Sequence, residues 1–268
     1  MKLAFSNIAW GPDEDHEALS LLRANQVQGI EVAPTRLWPN WDGATPEAAA
    51  AYAQTMSEAG FETPSLQSLL FGLPDLQVFG TTKQQDDLIA HLGRVATLAA
   101  AMRAKVLVFG SPKNRNRGDL TPAQAMQQAI RFFRQAGQVC ADAGVILAIE
   151  ANPSVYNCNF VTRWQEAEEL VRSCNHPGIG LHLDTACTVL AGDDPVAALP
   201  QVADILVHVH VSEPDLGPFA NPLIDHLAVG DALRSVAYAH WCSVEMRRTS
   251  SPLGSIQEAA QLAARCYG

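Results

Sequence analysis

Short apolar runs alternate along the whole chain with longer segments of helical period, the pattern that a parallel α/β fold imprints on its sequence. Eight runs predict strands: LAFSNIA at 3–9, GIEVA at 29–33, ETPSLQSLL at 62–70, KVLVFG at 105–110, VILAIE at 145–150, GIGLHLD at 178–184, ILVHVHV at 205–211 and WCSVEM at 241–246. Strands buried on both faces have few obligatory polar positions, which accounts for their nearly continuous apolar character. Helices are expected between them. TPEAAAAYAQTMSEAG at 45–60 opens on a capping Thr and closes on Gly60, and residues 121–144 repeat the pattern with Thr121, Pro122 and Gly144. RWQEAEELVRSC at 163–174 and SIQEAAQLAARCY at 255–267 are amphipathic, and a weaker helical pattern falls near 228–238.

The least regular stretches, 34–44, 71–82, 111–120, 151–162 and 212–226, each follow a predicted strand. In a (β/α)8 barrel the loops after the strands build the active site, so long loops on that end alone point to chemistry there. No repeat or low-complexity linker divides the 268 residues, and one such barrel needs about 250. A single domain spanning 1–268 is expected.

Composition narrows the function classes. Apolar residues at 48% supply ample core, and a formal charge of −10 argues against a large basic face to track a phosphate backbone, so nucleic acid is not an expected partner. Six cysteines with neither a CxxC pair nor zinc-finger spacing read as free thiols. The N-terminus resembles a strand rather than a secretory signal, and no apolar run is long enough to span a membrane. A cytoplasmic location is expected.

Candidate chemistry lies in the second half, where Glu150, Asp184, His210 and Glu245 each stand at or near the end of a predicted strand, at intervals close to one strand–helix unit. That rhythm brings all four side chains to one end of one barrel. Two Glu, one Asp and one His form a mixed oxygen and nitrogen set suited to one divalent ion such as Mn²⁺, Co²⁺, Mg²⁺ or Zn²⁺. A lone strand-end carboxylate is more often an ion-pair partner or a helix cap.

With LAFSNIAW, GIEV, IEANPSVYNCNFV, GLHLDT, HVHVSEPD and SVEM in order, the chain resembles the xylose isomerase-like TIM barrels over nearly its whole length. That family includes ketose epimerases, sugar-phosphate isomerases, inosose and dehydroshikimate dehydratases, and endonuclease IV. The resemblance implies that Glu150, Asp184, His210 and Glu245 ligate one catalytic divalent metal, and that Glu150 and Glu245 exchange protons with a substrate carbon. It implies an isomerase or epimerase of a ketose, sugar phosphate or related hydroxy-carbonyl compound working through an enediolate. A metal-dependent dehydratase of a polyol or cyclitol is the alternative, and a noncatalytic sugar-binding barrel a third reading. Homodimers are common in the family.

Departures from the epimerase pattern put the substrate in question. Cys187 stands where those enzymes carry a His, Leu216 where they carry an Arg, and Tyr156 where they carry a further Glu. The strands that would supply the extra His ligands of endonuclease IV end in SLQSLL and VLVFG, without His. The loop SPKNRNRGD offers Lys113, Arg115 and Arg117 as receptors for an anionic substrate group, with Arg247 and Arg248 beside Glu245. Lys113, Arg115, Tyr156, Cys187 and Arg247 are therefore the expected substrate contacts. His182 and His208 share strand parity with Asp184 and His210 and are read as core histidines or as supports for the ligands. Trp10, Trp38, Trp41 and Phe71 are expected in the core or walling a sugar ring, and Asp225 and His226 on the surface.

Overall fold

The structure, a computed structural model, describes residues 1–268. Eight parallel strands form one sheet: β1 (Lys2–Ser6), β2 (Gly29–Glu31), β3 (Ser65–Leu66), β4 (Val106–Phe109), β5 (Ile146–Glu150), β6 (Ile179–Asp184), β7 (Leu206–Ser212) and β8 (Trp241–Glu245). Their order is β2-β1-β8-β7-β6-β5-β4-β3. The seam between β2 and β3 is held by the bridges Gly29–Glu62 and Val32–Leu66 rather than by a full ladder. The result is the expected barrel.

Ten α-helices follow in chain order: α1 (Asp15–Ala24), α2 (Pro34–Leu37), α3 (Pro46–Glu58), α4 (Thr82–Ala101), α5 (Pro122–Asp142), α6 (Trp164–Cys174), α7 (Thr185–Leu190), α8 (Pro195–Val202), α9 (His226–Ser235) and α10 (Pro252–Tyr267). Thr45 and Thr121 cap α3 and α5 as their positions predict, and Thr121 and Gln124 form a reciprocal capping box. The weak pattern near 228–238 is α9, starting earlier at His226.

Several strands are shorter than their predicted runs, the first and third most clearly. The run 62–70 yields only Ser65–Leu66, because Pro64 cannot donate to the ladder and Ser68 takes a positive φ of 54° that turns the chain. The run 3–9 stops at Ser6, and residues 7–9 form a 3₁₀ turn.

The apolar core lies mainly outside the barrel. Phe5, Ile30, Leu66, Leu107, Ile149, Leu181, Val209 and Val244 pack outward against the helices in one continuous cluster. The inward positions are small or polar, and a separate apolar patch of Val106, Val108 and Ala148 fills part of the barrel, with Val207 against it. Val207 is the extra residue of a bulge in β7, between the pairs Leu181–Leu206 and His182–His208. Gly180 makes room for it, since a Cβ there would stand 2.7 Å from the Val207 methyl groups. Beyond the bulge, the register pairs His182 with His208 and Asp184 with His210.

Candidate metal centre

β5 ends in Glu150, β6 in Asp184 and β8 in Glu245, and His210 lies two residues before the end of β7. One ligating atom from each lies within 4.8 Å of those of the others. His210 Nδ1 is central: it is 3.1 Å from Glu245 Oε2, 3.7 Å from Glu150 Oε1 and 3.9 Å from Asp184 Oδ2. This buried nitrogen has no hydrogen-bond partner, although buried polar atoms rarely go without one.

The other ring nitrogen explains its orientation. His210 Nε2 lies 2.9 Å from Glu31 Oε1, and His208 Nε2 lies 2.9 Å from Glu31 Oε2. Ser65 and Ser243 donate to the same carboxylate at 2.6 and 3.2 Å. Glu31 is fully buried; desolvation opposes its charge, but His210 and His208 outweigh it and hold the carboxyl well below its ordinary range. An acceptor at Nε2 places the proton there and leaves the Nδ1 lone pair facing the three carboxylates.

Two of the three carboxylates are also held. Asp184 caps α7 by accepting from the Cys187 N–H at 2.6 Å, and its other oxygen accepts from the Ser212 hydroxyl at 2.7 Å. The Asn152 amide donates to Glu150 Oε2 at 3.1 Å. Gly110, just after β4, leaves this carboxylate its space: a Cβ there would stand 1.6 Å from Glu150 Oε2. Burial, with the charges of Glu150 and Glu245, pushes Asp184 up to about 7. For His210 without a cation, burial lowers the proton affinity, but Glu31 and Glu245 override it and raise it well above the imidazole value, so a cation takes the Nδ1 lone pair by displacing a proton. Three converging carboxylates and an unpartnered imidazole nitrogen fit one divalent cation bound through oxygen and nitrogen.

These four residues border a cavity of about 730 Å³. Lys113, Tyr156, Cys187 and Leu216 line it. Two other expected substrate contacts do not. Arg115 is 1% exposed, and its guanidinium donates to the Glu150 carbonyl at 2.7 Å and to Asn152 Oδ1 at 2.8 Å, so it braces the end of β5 from behind. Arg247 is exposed away from the cavity lining and contributes only a backbone N–H to the Leu216 carbonyl. Arg117 binds the carbonyls of Asn159 and Leu120, and Arg248 pairs with Glu14. The Cys187 thiol is pushed well up by burial and then by Asp184, which suits packing rather than nucleophilic attack.

His182 lies behind the quartet, its Nδ1 3.5 Å from Glu150 Oε1 and neither nitrogen hydrogen-bonded. With His208 and His210 it forms a second close group of three imidazoles. Of the four early aromatics, only Phe71 lines the cavity. His226 is buried, contrary to expectation, and bridges Glu213 at 2.9 Å and the Tyr267 hydroxyl at 2.7 Å. Glu31, Asn152, Ser212 and Glu213 belong to the site without having been singled out from the sequence. Glu31 carried a readable signal, since a charge inside an apolar strand must be paired when buried.

A sequence profile of the xylose isomerase-like TIM barrel family matches residues 19–266, and the chain belongs to that family. Solved structures of similar fold include D-psicose 3-epimerase in the presence of D-fructose, at 14% identity and a TM-score of 0.82 with 100% of both chains covered. The IolI protein with a zinc atom matches at 18% identity and a TM-score of 0.75, covering 99% of this chain and 96% of that one. The probable 3-DHS dehydratase AsbF of Bacillus anthracis matches at 16% identity and a TM-score of 0.76, covering 98% and 99%. No curated protein matches this sequence. No helix is long and apolar enough to cross a membrane.

Proposed function

We propose that the chain is a divalent-metal-dependent isomerase or epimerase of small hydroxy-carbonyl compounds of the carbohydrate type. The observation that carries this reading is the convergence of Glu150, Asp184, Glu245 and the unpartnered His210 Nδ1 at the floor of the cavity. A divalent ion bound there supplies Lewis-acid polarisation of the substrate's carbonyl and hydroxyl oxygens.

The protein's own groups do the rest. Glu150 and Glu245 approach the same point from β5 and β8, so one carboxylate removes the proton beside the carbonyl and the other returns a proton from a different direction. Glu31 holds the His210 ring in one tautomer, while Ser212 and the Cys187 N–H hold Asp184. The apolar cavity walls keep bulk water from the developing enediolate. Proton removal followed by loss of a neighbouring hydroxide would make a lyase instead. Two carboxylates on separate strands favour returning the proton, because each can serve one face of the carbon.

Incubation of the Mn²⁺-supplemented protein with a panel of ketoses in D₂O tests this. Recovered ketose or its epimer should gain one mass unit, and Glu150→Gln and Glu245→Gln should each lower the rate by about 10²–10⁴-fold, the range of general acid–base catalysis. Loss of the mass of water supports the lyase, and unchanged turnover in both variants rejects the site.

A further inference from the structure

We propose that the substrate of this site carries an apolar, preferably aromatic, substituent on its hydroxy-carbonyl head, seated between the loop after β3 and Leu216; this rests on the function proposed above. A cavity of about 730 Å³ lies in the upper half of the range that encloses drug-sized ligands and exceeds what a bare sugar fills. Its outer wall is apolar. Phe71, Leu73 and Pro74 line one side and Leu216 the other, and Phe71 is 71% exposed.

The polar side chains along the same walls are already committed within the protein. Gln67 donates to Ser6 and accepts from Ser68. Asn114 donates to the carbonyls of Leu73 and Leu76 and accepts from Ser111. Glu213 accepts from the N–H groups of Leu223 and Ile224 and from His226. The Tyr156 hydroxyl accepts from the Asp215 N–H and keeps one proton to donate. Ser68 and Ser111 spend their hydroxyl protons on Gln67 and Asn114, so outside the metal quartet the donors left to greet a ligand are chiefly the Tyr156 hydroxyl and the Lys113 ammonium. Reading an array of sugar hydroxyls takes several free donors and acceptors, and here the outer cavity offers few.

An anionic group fits no better. Arg115, Arg117 and Arg248 are paired elsewhere and Arg247 is not among the lining residues, so a single exposed Lys113 lines the cavity together with Glu150, Asp184, Glu213 and Glu245. Phosphate recognition favours forked guanidinium contacts, and none reaches this space. The chemistry that matches is a chelating hydroxy-ketone at the floor and a ring or alkyl group against Phe71 and Leu216.

Three ligands with the same head separate the possibilities: hydroxyacetone, 2-hydroxyacetophenone and dihydroxyacetone phosphate, titrated calorimetrically into Mn²⁺-loaded protein and into protein held in EDTA. The aryl ketone should bind about tenfold more tightly than hydroxyacetone, as burial of part of a phenyl ring against apolar side chains gives. The Phe71→Ser/Leu216→Ser variant, altered at side chains that are not in the closed core, should lose most of that preference. Equal affinity of the aryl and methyl ketones, a preference retained by the double variant, or tightest binding of the phosphate overturns the inference. In each such case, loss of hydroxyacetone binding in EDTA leaves the metal-centred function standing, whereas binding indifferent to EDTA rejects that function as well.

Discussion

Glu31 illustrates how much of this site is decided by residues that never face the substrate. It gathers His208, His210, Ser65 and Ser243 around one buried carboxylate, and so sets which nitrogen of His210 faces the quartet. Glu31→Gln should leave the barrel folded and weaken Mn²⁺ binding by about 10–100-fold, the usual cost of removing a ligand's supporting partner; calorimetric titration measures it. Unchanged affinity would mean that His210 needs no such support. The four quartet residues were legible because each interrupts or ends an apolar run. Glu31 does the same within GIEVA, but the apolar Val32 and Ala33 that follow it hide that β2 ends there. Arg115 was misread for a different reason: its burial depends on carbonyls supplied by 150–161, a contact that 35 residues of separation hide from a sequence.

At the scale of elements, strands with outward Leu, Ile and Val and inward His, Ser, Asp and Glu produce the runs HLD, HVHVS and SVE, from which barrel and site were both readable. The shortness of β3 was not, because a nine-residue apolar run contains both a two-residue strand and the turns that line the cavity. Close approach between neighbouring strands makes its own prediction. Gly110 on the β4 end leaves the space that the Glu150 carboxylate occupies. Gly110→Ala should turn Glu150 away while leaving circular dichroism unchanged, and Mn²⁺ affinity should fall by at least about tenfold. Wild-type affinity would show that the carboxylate sits elsewhere in solution.

For the whole molecule, the quartet links stability to pH and to metal. Asp184 is raised to about 7, so the folded protein binds more protons than the unfolded chain from the ordinary carboxylate range up to that value. The stability this contributes is present below that range and is lost as pH rises through about 7. A cation replaces the proton, so metal should bind more tightly, and stabilise more, at pH 8 than at pH 5.5. Ion at a hundred times its Kd adds about 2.7 kcal/mol, or about 5–10 °C in melting temperature for a chain of this size. Calorimetric melting at both pH values checks the sign, and a larger shift at pH 5.5 would contradict it.

Anomalous diffraction from a crystal grown with Mn²⁺ would locate a divalent ion held among Glu150, Asp184, His210 and Glu245. One strong peak bounded by His210 Nδ1 and an oxygen of each of the three carboxylates is expected. No peak there, or a peak among His182, His208 and His210 instead, would contradict it.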